Sequence, residues 1–225
     1  MLLALVLATA VAVPPGGSAG TADAAKARGE WRTLPLLDSP QLASTLGPLR
    51  AEAGSWVEYL VRTRGDQDVR FRVSVVPPSV DAGRVWLEVT ALGSESLPFA
   101  VRLLTIAATG KVERAVVYAL GQAPLAIPVD DDARAIASAA DAASMHVVHE
   151  GPEEVTVPAG TLRATKLRIS GRHASTRVWK SDAIPLWGLV RARDGRRTIE
   201  LLRYGPGGAS SVFPTQGNGS DSANE

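Results

Sequence analysis

Val69-Arg-Phe-Arg-Val-Ser-Val75 and Val85-Trp-Leu-Glu-Val-Thr-Ala91 decide the fold class. In both, apolar side chains recur at every second position. An extended chain sends successive side chains to opposite faces, so a period of two describes a strand with one buried face. Pro77-Pro78 and Asp81-Ala-Gly83 separate the two runs with turn-forming residues, which predicts antiparallel neighbours. Trp86 falls with Glu88 and Thr90, on the less apolar face of its strand.

Working outward, the same reading predicts a strand over Trp56–Arg62 and a hairpin of Phe99–Ile106 and Val112–Ala119 about Thr109-Gly110-Lys111. Further strands are predicted over Glu154–Val157, Leu162–Ser170, Thr176–Trp179, Leu189–Arg193 and Thr198–Tyr204. They are punctuated by Pro158-Ala-Gly160, Gly171, Pro185 and Asp194-Gly195. Two helices are expected. Ser39 caps a short one through Glu52 with Pro40 at its first position and Gly47-Pro48 breaking it, and Asp130-Asp-Asp132 begins an alanine-rich one over Ala133–Met145. Short strands without alternating helices predict a mainly β (α+β) fold: a curved antiparallel sheet or half-barrel of about nine or ten strands, with one or two helices on its concave face.

The ends of the 225-residue chain differ from its middle. Met1–Val13 is an almost unbroken apolar run closed by Pro14-Pro15, too short for the roughly 20 residues of a membrane span, and it reads as a signal peptide. Gly17-Ser-Ala19, Ala22-Asp-Ala24 and Ala25-Lys-Ala27 are alternative cleavage sites. No Lys or Arg precedes the run, a departure that leaves an uncleaved anchor open. The expected organisation is a signal peptide and processing zone over 1–27, a linker and short helix over 28–53, a β-rich domain over 54–205 and a disordered tail over 206–225.

Composition excludes several functions. With 45% hydrophobic and 21% charged residues the chain can bury a core. Twenty-four basic against 23 acidic residues, with no dense basic block, argue against nucleic acid as a partner. The absence of cysteine removes disulfides, thiolate metal sites, a cysteine nucleophile and a lipidated cysteine.

No motif assembles a catalytic or cofactor site. Gly16-Gly-Ser18-Ala-Gly20 spells a hydrolase elbow but lies in the processing zone, away from any strand-to-helix turn. His146-Val-Val-His149-Glu150, with Glu153 and Glu154 nearby, is the one local group of metal-competent side chains. Residues three apart on a strand diverge, so it reads as polar residues at a helix-to-strand junction, and His173 alone remains elsewhere. Asp130–Asp132 lacks the ligand spacing of a calcium loop, and Gly110-Lys111 lacks the rest of a phosphate loop. Asn218-Gly-Ser220 fits a glycosylation sequon that matters only in a host with that machinery. The expectation is no catalytic residue, no metal and no cofactor. Of the five tryptophans, Trp31 included, Trp56, Trp86, Trp179 and Trp187 are the candidate ligand contacts, with buried packing as the alternative.

Val155-Thr-Val-Pro-Ala-Gly-Thr161-Leu-Arg-Ala-Thr-Lys166, followed by Val178-Trp-Lys-Ser-Asp-Ala-Ile-Pro185-Leu-Trp-Gly188-Leu-Val190, resembles a pattern in uncharacterised bacterial envelope proteins. Those proteins are similar to the periplasmic lipoprotein-carrier half-barrel superfamily, whose curved sheet holds acyl chains beneath helices. The resemblance covers these segments and otherwise only the order of elements. It implies an apolar cavity and carries no catalytic residues. Three functions follow as expectations. The first is a periplasmic or secreted, non-enzymatic envelope protein that binds or carries an acyl or other apolar ligand, a lipid or lipoprotein. The second is an envelope scaffold with a solid core, whose exposed sheet edge pairs with a protein partner. The third is a hydrolase using acids such as Asp182 and Glu200.

Overall fold

The computed structural model describes residues 6–7, 32–33, 46–76, 83–93, 99–119, 124–127, 146–171 and 175–213. β1 (Val6–Leu7) and β2 (Arg32–Thr33) form a two-stranded antiparallel pair. All other strands join one sheet: β3 (Trp56–Thr63), β4 (Val69–Val76), β5 (Arg84–Leu92), β6 (Phe99–Ile106), β7 (Lys111–Ala119), β8 (Leu125–Ile127), β9 (His146–Val157), β10 (Gly160–Ser170), β11 (Ser175–Lys180), β12 (Leu189–Arg193) and β13 (Arg197–Gly205). Its order is β8-β7-β6-β5-β4-β3-β13-β12-β11-β10-β9, antiparallel throughout. The first and last strands of this sheet, β3 and β13, pair at its centre, and sequential hairpins run outward to two edges. The sheet is curved and unclosed.

The ten strands read from the sequence are present. β8 is an eleventh, and β9 begins at His146, eight residues earlier than its alternating segment suggests. His146–Glu150 thus lies within a strand whose pairing with β10 carries it past Gly151, and the helix half of the junction reading lies outside the described residues. No helix occurs among the described residues, so the helices expected on the concave face are not confirmed. Of the first, only Leu46 onward is described, where Gly47 turns the chain at φ 80°. The second, Asp130–Met145, lies outside the described residues.

Alternation fixes which face is apolar. Val57, Val73, Val89, Val101 and Val117 lie in register across five adjacent strands. The first four are at most 3% exposed. Tyr59 and Phe71 continue this face with ring centroids 5.5 Å apart. Tyr59 donates its hydroxyl to the Leu189 carbonyl at 3.0 Å, and burial pushes its phenol far above the ordinary range. Each buried aliphatic or aromatic side chain contributes about 1.5–3 kcal/mol.

Two described segments lie against this face. Residues 46–51 bring Leu46 and Leu49, and the loop after β11 brings Ile184, Leu186 and Trp187. Backbone bonds between Arg50 and Leu186, 3.0 Å in each direction, tie the segments together. The Arg50 guanidinium donates to the carbonyls of Ser181, Asp182 and Ile184. This loop is tight. Leu186 holds φ 61°, and at Gly188 (φ 72°) a Cβ would stand 2.6 Å from the Ser181 carbonyl oxygen. The Trp179–Val190 pattern in the sequence is therefore a clasp on the segment before β3.

Candidate functional site

The opposite face is built from the interleaved residues. Trp56, Ser74, Glu88, Arg102 and Val116 form one cross-strand row. Arg203, Glu58, Arg72, Thr90, Ala100 and Tyr118 form the next. Two carboxylates on this face are buried: Glu58 is 1% and Glu88 2% exposed. Burying an ion is costly unless its oxygens are taken up, and both are. Glu88 accepts from Arg102 Nε at 3.0 Å, from the Ser211 hydroxyl and from the Val212 amide at 3.0 Å. Arg102 donates in turn to the Phe213 carbonyl at 2.8 Å. Residues 206–213 thus cross the polar face, where Trp56 Nε1 donates to Gly207 and Phe213 packs on Tyr118.

Glu58 is held differently. Its Oε1 accepts from Nε (2.9 Å) and Nη2 of Arg72, and its Oε2 accepts from Nε of Arg203 (2.8 Å), whose Nη2 stands 2.7 Å away in the ion pair. Above it opens a groove of about 610 Å³, walled by Arg70, Arg72 and Arg203 and completed by Leu92, Pro158 and Leu202. Pro158 arrives from the tip of the β9–β10 hairpin. That tip leans over β13, where Ala159 N donates to the Leu201 carbonyl at 3.2 Å, beside the bulge that inserts Leu202. The Val-Pro-Ala-Gly-Thr segment therefore contributes Pro158 to the groove.

Farther along this face, Glu200 accepts from Arg62 and from Arg191 (Nη2, 2.7 Å), while Lys166 and Arg191 stack on Trp179, 5.6 and 5.8 Å from its ring. The Lys166 ammonium holds the Glu153 carboxyl below its ordinary range. Among the described residues the buried Trp179 indole N–H has no acceptor in hydrogen-bonding geometry. Glu153, followed by Glu150, raises Lys166.

The four candidate tryptophans do not converge on one groove. Trp56 sits beneath Arg72 (4.7 Å) and the 205–208 segment, and Trp86 lies in register with Val76 and Leu104 on the same face. Trp179 is on β11, three strands beyond β3, and Trp187 is in the apolar core. Trp31 and His173 lie outside the described residues. Asp182 is a 90%-exposed partner of Arg50, whereas Glu200 is bound by Arg62 and Arg191, so the two acids do not share a cleft. Among the described residues no group of three His, Cys, Asp or Glu could hold a metal. The sequence reading missed the groove because its arginines come from strands far apart in sequence. The alternate placement of Arg70 and Arg72 was the available signal.

The sheet also has two edges. β9 pairs only with β10 among the described residues; near the hairpin its Thr156 carbonyl accepts from Arg191 Nη2 at 2.6 Å, which leaves the open edge at the His146 end. His146–Glu150 of β9 are exposed, with Val147 at 42% and Val148 at 45%. At the other edge, Leu125 of β8 is 61% exposed.

A curved, unclosed, all-antiparallel sheet with one apolar and one charged face is the class to which this chain is assigned. No family model matches it, and no curated protein matches it. Solved structures similar to it include MucB, with 11% identity and a TM-score of 0.46 over 78% of this chain and 61% of MucB. The MucA/MucB complex of Pseudomonas aeruginosa matches with 11% identity and a TM-score of 0.45, over 73% of this chain and 54% of that one. An exported protein with a YmcC-like fold from Bacteroides fragilis matches with 13% identity and a TM-score of 0.31, over 71% of this chain and 99% of that one. The chain spans little more than half the length of the MucB chain in the complexes. No described helix is long and apolar enough to cross a membrane.

Proposed function

We propose that this chain is an exported, non-enzymatic envelope protein that works by binding another polypeptide along the free edge of β9. The observation that carries this reading is the combination of an unpaired strand edge with exposed Val147 and Val148. An open edge offers a row of main-chain donors and acceptors to an incoming strand, and adjacent apolar side chains add contact area and selectivity. Export is supported by the apolar run over Met1–Val13.

The apolar face favours a second reading, carriage of an acyl or other apolar ligand, because a curved sheet with one apolar face is a form that can cradle one. Affinity capture from the envelope of the producing cells, with the wild-type chain and the V147K/V148K variant, separates the two. Edge binding predicts a polypeptide retained by the wild type and lost from the variant. An acyl species bound equally by both, with no polypeptide, would transfer the function to the apolar face.

A further inference from the structure

The groove above Glu58 lies at the sheet's centre, apart from the exposed end of β9, and its chemistry points to a ligand of its own. Three arginines against one carboxylate leave two positive charges in it. Glu58 takes Nε and Nη2 of both Arg72 and Arg203, which fixes each guanidinium plane and leaves Nη1 outside the ion pair. A guanidinium has five N–H donors in a rigid fork, so both retain capacity for a second oxyanion. Arg70 has no acidic partner among the described residues. It lies against Gly93, where an added Cβ would stand 2.6 Å from its Nη2.

The spacing selects the form of the anion. Arg70 and Arg72 are two residues apart on β4, with backbones about 6.8 Å apart by the strand rise, while Arg72 and Arg203, on the strands flanking β3, reach inward to the same Glu58 carboxylate. Arg70 extends the cationic wall along β4 beyond the pair held at Glu58, with Leu92, Pro158 and Leu202 lining the same groove. Alternate residues of an extended peptide are also about 6.8 Å apart on one side. We propose that this groove binds an extended acidic peptide segment, with carboxylates on alternate residues paired to Arg70 and Arg72, a neighbouring one to Arg203, and aliphatic side chains against the apolar wall. This site is independent of the β9 edge.

The test is fluorescence anisotropy with the full chain and a labelled peptide of alternating glutamate and leucine, beside a lysine–leucine peptide, inorganic phosphate as competitor and phosphatidylglycerol vesicles in sedimentation. The expected result is saturable binding of the acidic peptide alone, weakened by salt. R70Q/R203Q is expected to lose at least tenfold in affinity. Because Arg203 also neutralises Glu58, R70E is read beside it and is expected to lose at least fivefold with an unchanged circular dichroism spectrum. V147K/V148K is expected to bind the peptide as the wild type does, so failure of the edge reading and failure of this one are distinct. No saturable peptide binding, folded arginine variants of undiminished affinity, or phosphate or vesicles bound in place of the peptide would each overturn the proposal.

Discussion

Val57-Val73-Val89-Val101 and Trp56-Ser74-Glu88-Arg102 occupy the same four strands, one residue apart in sequence and on opposite faces. The valine row is buried by apolar contact. The second row carries a buried acid held by an arginine, a serine and a backbone amide. A slip of one residue in β5 or β6 would drive Glu88 or Arg102 into the valine row, so charges that add little net stability make register costly to misplace. One face supplies stability, and the other specifies register and presents fixed charges to solvent.

Substitutions can break this comparison in graded ways. Phe71→Ala on the apolar face should have the largest effect, a loss of about 3–5 kcal/mol in urea unfolding, since it removes a 1%-exposed aromatic and its contact with Tyr59. Arg102→Ala on the charged face leaves Glu88 buried with only Ser211 and the Val212 amide, and should cost about 3 kcal/mol. The double change E88L/R102L should cost less than Arg102→Ala alone. If it costs more, the pair itself stabilises and the division between faces is wrong.

Gly188→Ala tests the clasp on the apolar face. A positive φ and a 2.6 Å approach to the Ser181 oxygen predict a loss of about 1–3 kcal/mol and easier proteolysis near Arg50. Glu153→Gln should have the smallest effect, showing in the pH profile. Lys166 lowers the folded-state pKa of Glu153, so its contribution is present above the ordinary value of 4.5 and is lost as pH falls through the lower folded value. The variant should therefore melt slightly below the wild type at neutral pH and converge with it as pH falls below the ordinary value, which gives a flatter acid limb.

Much of the sheet was legible because period-two burial leaves its trace in each strand alone. Phe99–Ile106 and Leu189–Arg193 agree with the observed strands residue for residue. β8 escaped because three residues cannot display a period, and the exposed start of β9 escaped because His146–Glu150 has no buried face to impose one. The central pairing of β3 with β13 is a long-range choice with no local signature. For the same reason the sequence could single out Trp56 and Trp179 as large aromatics but could not show that arginines cover both. The Glu58 groove joins residues 58, 72 and 203, whose proximity only the β4-β3-β13 order creates.

The account rests most directly on the open edge of β9. Photo-crosslinking from Val148, with the somewhat more exposed Val212 as a site away from the edge, tests it in the envelope of the producing cells. A polypeptide adduct at Val148 and none at Val212 is the predicted result. Adducts of equal yield at both positions, or none at Val148 while an acyl species co-purifies with the chain, would contradict it.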